Sequence, residues 1–125
     1  MKTEKEWTTE AGLKAIVIAT SMGHRCGYVS VPVEHPLHGK DYNDVDVEVH
    51  GGLTYSDERD GLWWFGYDCA HWEDAKDIEL MDDGYKKAYI KGQLNWPFLN
   101  EGTVRTLDFC VAECESLAKQ LGEMK

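Results

Sequence analysis

The sequence predicts an α+β fold: an antiparallel β-sheet covered on one face by a C-terminal amphipathic helix. Three observations carry that expectation. Val45, Val47 and Val49 alternate with Asp46, Glu48 and His50, the period of two of a half-buried strand. The aromatic-rich run Leu62 to Ala70 places Phe65, Tyr67, Cys69 and His71 on one side and Trp64, Gly66, Asp68 and Ala70 on the other. Near the end, Val104, Leu107, Val111, Cys114, Leu117 or Ala118, and Leu121 recur at three-to-four spacing, one apolar helical stripe. Such a stripe must be buried, and the valine and aromatic face of the sheet is its natural partner.

Taken in order, Leu13 to Ala19 is rich in β-branched residues and reads as a strand. Ser21 to His24 is a turn, and Cys26 to Val31 is the return strand, closed by Pro32. His35 to Lys40 is a loop by its Pro and Gly content. After the valine strand, Gly51–Gly52 allows a bulge or turn before Leu53–Thr54–Tyr55 begins the next strand, and Ser56 to Gly61 reads as a polar turn. From Trp72 to Asn100 the pattern degrades into a long excursion or a further hairpin, anchored by Trp96–Pro97–Phe98. Thr103 is the expected N-cap of the last helix and Gly122 its stop. The first and last few residues are expected to fray.

A length of 125 residues fits one domain, residues 1–125. Acidic residues number 23 against 13 basic, a net charge of −10. That balance disfavours binding nucleic acid through its phosphates, and equally an anionic membrane surface. It leaves small molecules, metal cations and basic protein surfaces. No window reaches the length of a membrane span, and Met1 to Thr9 lacks the apolar core of a secretory leader. The expected compartment is therefore the cytosol, where Cys26, Cys69, Cys110 and Cys114 are expected to stay reduced.

The candidate site clusters around two strand ends. His50 breaks the valine alternation just before Gly51 and Gly52, and His71 ends the aromatic strand before Glu73 and Asp74. If the strands are neighbours, both imidazoles reach one edge of the sheet, with Asp68 or Asp74 to orient them. Cys69 and His71 with His50 are also a possible ligand set for zinc, although their spacing fits no standard zinc pattern. A buried Cys and a hydrogen-bonded His near a strand end is the commoner use of such residues. Arg25, in an acidic chain with three arginines, must pair with a carboxylate or hold an anion. Any member of the aromatic block Trp63, Trp64, Phe65, Tyr67 and Trp72 left on an open face would make a stacking platform for a base or sugar.

Four stretches carry a resemblance over nearly the whole chain, about Gly12 to Leu121. They are Gly23 to Tyr42, Val49 to Ser56 (VHGGLTYS), Trp63 to Asp74 (WWFGYDCAHWED) and Arg105 to Leu121 (RTLDFCVAECESLAKQL). Together they resemble a widespread family of small proteins from tailed phages and prophages. The motifs mark the family and bring no chemistry with them. Relatives have a small residue and Gly at the positions of Trp72 and Glu73, and the stretch from Lys76 to Glu101 looks like a variable insertion.

The resemblance implies a phage-encoded accessory protein in the host cytosol. The expected activity is non-catalytic: binding a small polar ligand, such as a nucleotide-type host-defence signal, or binding a host protein, and inhibiting by that binding. The expected ligand residues are His50, Gly51, Asp68, His71 and Asp74, with Arg25 and Tyr28 nearby. One alternative is a metal-dependent hydrolase using His50, Cys69, His71 and Asp74. Another is an acidic decoy for a basic host protein. The oligomeric state is left open.

Overall fold

Alternation along the second strand decides how the chain is layered. In a computed structural model describing residues 1–95 and 101–124, Lys14–Ala19 (β2) turns Ala15, Val17 and Ala19 into the core. Its other face carries Ile16 and Ile18, so β2 is apolar on both sides. It pairs with Lys2–Thr8 (β1) and Arg25–Val31 (β3). Tyr55–Arg59 (β4) and Leu62–Asp68 (β5) complete a five-stranded sheet of order β1-β2-β3-β5-β4, with every pair antiparallel; Ser56 to Arg59 is edge strand and not the expected turn, which narrows to Asp60–Gly61. The turn Ser21–His24 and the β2–β3 hairpin lie where the sequence predicts them.

Two tyrosines are seated on two glycines in neighbouring strands. Tyr67 pairs with Gly27 and Tyr28 with Gly66, and each ring fills the space a Cβ would occupy. Tyr67 points into the core and donates its hydroxyl to the Cys110 carbonyl at 2.8 Å. Tyr28 points to the opposite face.

The core face is covered by Leu107–Glu123 (α2), which packs on β2 and β3. Cys110, Cys114, Leu117, Ala118 and Leu121 form its buried stripe. The helix starts later than predicted: Thr106 is the N-cap, its hydroxyl accepting from Phe109 N at 3.1 Å. Thr103 lies instead in Thr103–Val104 (β7), which pairs in parallel with Asp74–Ala75 (β6). Gly122 does not stop the helix, which continues to Glu123. Val104 and Val111 consequently fall outside the buried stripe, Val104 being exposed.

Three further expectations are corrected. The segment Val45 to His50 is not a strand. Its valines do pack on the core, half-buried, but its backbone bonds to side chains of α2. Gln120 accepts from Glu48 N at 2.8 Å and donates to the Glu48 carbonyl at 2.7 Å, and Glu113 accepts from His50 N at 2.8 Å. The N-terminus does not fray: β1 is an edge strand with a bulge between Thr3 and Lys5. Its charged sequence hid it, and charges on an edge guard against unwanted pairing. Residues 83–95 form no hairpin but Asp83–Asn95 (α1), with the Lys76 ammonium 5.0 Å from the ring centre of Tyr85 and 5.3 Å from that of Tyr89. The expected anchor Trp96–Pro97–Phe98 lies outside the described residues.

All four cysteines are free thiols. No described helix is long and apolar enough to cross a membrane.

Candidate functional site

Asp74 is the centre of the predicted cluster. Its side chain has no solvent exposure. It accepts from His50 Nε2 at 2.9 and 3.0 Å, from Arg105 Nε at 2.8 Å and from His71 N at 3.0 Å. Burial by itself raises its pKa, but these hydrogen bonds outweigh burial and hold it below the ordinary carboxylate value. The imidazoles of His50 and His71 stand edge to face, 5.7 Å between centres. Phe109 meets His50 at 5.3 Å and lies 5.1 Å beneath the Arg105 guanidinium.

His50, Gly51, Asp68, His71 and Asp74 are therefore brought to one corner, as the sequence reading expects. The corner is filled. Gly51, at φ 69°, packs directly against the His71 ring, leaving no room for a Cβ. His71 Nε2 lies 3.4 Å from Asp68 Oδ1 and is buried with no hydrogen-bond partner among the described residues. Gly51→Ala is expected to cost about 2 kcal/mol, from a positive φ and a collision with His71. Chemical denaturation measures it, and a change below ~0.5 kcal/mol would show that the corner is loosely packed.

Other predicted residues are placed elsewhere. Cys69 does not share a side with His71. The strand ends at Asp68, Cys69 turns into the core with its sulfur 3.7 Å from that of Cys110, and His71 turns toward Gly51. Among the described residues, no group of three or more His, Cys, Asp or Glu side chains is arranged to hold a metal ion. Arg25 does not face the cluster as a ligand residue. It is 8% exposed and bonds Glu4 at 2.6 Å, Asp77 at 3.1 Å and the Arg105 carbonyl at 3.0 Å. Those contacts tie β1, β3 and the segment before α2 together. His35 links its loop to α2 through the Leu121 carbonyl at 2.8 Å.

Tyr28 belongs to a different place, the sheet face that α2 leaves uncovered. There a groove of about 450 Å³ is lined by Ile16, Ile18, Tyr28, Tyr55 and Trp64, with Lys2, Glu6, Arg59 and Asp60 among its borders. Tyr28 and Tyr55 meet edge to face at 5.4 Å. The Trp64 indole is oriented by a 3.3 Å hydrogen bond to the Arg59 carbonyl. Burial, and then the neighbouring Cys26, push the Tyr28 phenol up to about 12, so its hydroxyl remains a donor at neutral pH. Asp68 shares this face, opposite Cys26, and accepts from Thr54 Oγ1 at 3.0 Å.

Sequence reasoning named Trp64 in the aromatic block that could form a platform, but did not single it out and did not include Tyr55. The missed signal is β2, whose isoleucines alternate with buried Ala and Val and so require a second apolar surface. A second depression, about 670 Å³, lies between Glu48–Val49 and α2. Its Glu113 and Gln120 are already engaged by the backbone of residues 48–50.

No family model, curated protein or solved structure matches this chain.

Proposed function

We propose that this domain is a binding module whose ligand is a small polar molecule carrying a flat ring, held on the open face of the sheet. One observation carries the reading: a concave groove with Tyr28, Tyr55 and Trp64 along it and Ile16 and Ile18 within it, on the face opposite α2. Aromatic side chains around an apolar floor, with a few polar groups at the border, form the usual composition of a small-ligand site. A ring stacked on an aromatic side chain gains about 1–3 kcal/mol. The Asp74 corner then has a supporting part. It fixes His71, and with it the loop that follows Asp68.

Binding without turnover fits the placement of Cys69, whose thiol packs against Cys110 in the core and makes no hydrogen bond to either imidazole among the described residues. In the phage setting that the family resemblance implies, such a module would act by sequestering its ligand from the host.

The test is a thermal-shift screen of ring-bearing polar compounds. Hits should raise the Tm of the parent protein, and Trp64→Ala should abolish the rise while the variant remains folded. Hits unaffected by Trp64→Ala and by Tyr55→Ala would refute the assignment. A second reading, docking of a host protein, is favoured by Trp72, which is 90% exposed beside His71. Trp72→Ala should weaken that interaction and leave ring binding unchanged.

A further inference from the structure

The groove's own charges select among ring-bearing ligands. Glu6 pairs across the sheet with Ile16, Ile16 with Tyr28, and Tyr28 with Gly66, which faces Tyr55 from β4. The carboxylate and the tyrosine pair thus lie in one row, on either side of Ile16. Neighbouring strands are about 4.8 Å apart, so a span of about 10 Å separates the β1 and β3 backbones, the scale of one ring with a charged substituent. Glu6 makes no hydrogen bond or ion pair among the described residues. The cations bordering the groove are less well placed. Arg59 stands 3.9 Å from Asp60, both largely exposed, and Lys2 is about 12 Å along β1 from Glu6. The faces of Tyr and Trp rings are themselves electronegative and attract cations.

We infer that the groove takes a small organic cation: a flat ring bearing an ammonium or similar group, lying over Ile16 and against Tyr28, with its charge toward Glu6 and the Trp64 indole further along the same face. This rests on the open face being the ligand site. Asp68, on the same face, adds a second negative charge near Tyr28.

The experiment compares three probes of one ring: benzyltrimethylammonium, benzyl alcohol and benzenesulfonate. The assigned Trp64 indole N–H resonance of the full chain reports each titration. The cation should bind at least about tenfold more tightly than the other two, and Glu6→Gln should weaken it about three- to tenfold without affecting benzyl alcohol. Glu6→Lys should reverse the preference toward benzenesulfonate. If benzyl alcohol or benzenesulfonate binds as tightly as the cation, the charge inference falls and the ring site stands. If none of the three moves the Trp64 resonance, both fall.

Discussion

Asp74→Ala is expected to destabilise the protein by about 3–5 kcal/mol, because it leaves the Arg105 guanidinium and the buried His50 ring nitrogen without their carboxylate. Asp74 has no exposure and joins His50, Arg105 and the backbone of His71. It thereby connects the segment after residue 45, the loop after β5 and the segment leading into α2. The pH dependence follows in sign. A carboxylate whose folded pKa lies below its unfolded value contributes stability that is present above the unfolded value. That contribution is lost as pH falls through the ordinary carboxylate range toward the folded value. Urea unfolding at pH 7 and at acid pH should show the parent losing stability and Asp74→Asn losing less. Equal slopes in the two proteins would mean that Asp74 is not held charged by its partners.

Leu117→Ala should cost about 3 kcal/mol, within the range for emptying a fully packed leucine site. Leu117 is fully buried in the stripe that α2 lays on β2 and β3. Leu107, which the sequence pattern weights equally, is only half-buried and packs at the margin of the same core. Leu107→Ala should therefore cost clearly less. Both are read from urea midpoints at unchanged slope. Equal costs, or a Leu117 cost under ~0.5 kcal/mol, would mean that α2 is not docked through its middle turns.

The contrast between those leucines shows where the fold was legible. Stripe and sheet were readable because burial on one face leaves a period in the residues: Ala15, Val17 and Ala19, Val29 and Val31, Phe65 and Tyr67. The helix start was not, because Thr103 and Thr106 are equally good caps and a short parallel pairing with Asp74 claims the first. The period of two in Val45 to Val49 was real but ambiguous. Any extended chain half-buried on one side produces it, whether its backbone bonds to a strand or, as here, to Glu113 and Gln120. Helix α1 was hidden because Lys76, Tyr85 and Tyr89 hold it through aromatic contacts that leave no apolar stripe.

The corner was half legible. Adjacent glycines and strand-end residues pointed to His50, His71 and Asp74 together, but not to Arg105, about thirty residues later in sequence than Asp74. Tyr28 was named among the candidates without its neighbours, because which face α2 leaves open is a property of packing and not of spacing.

The most direct test of the central claim is chemical-shift mapping of the isotope-labelled chain with the strongest ring-bearing compound from the thermal screen. The perturbed signals are expected to cluster on Ile16, Ile18, Tyr28, Tyr55 and the Trp64 indole, with the Asp74 corner and α2 unmoved. Perturbations centred instead on Glu113, Lys119 and Gln120, or on His50 and His71, would contradict it.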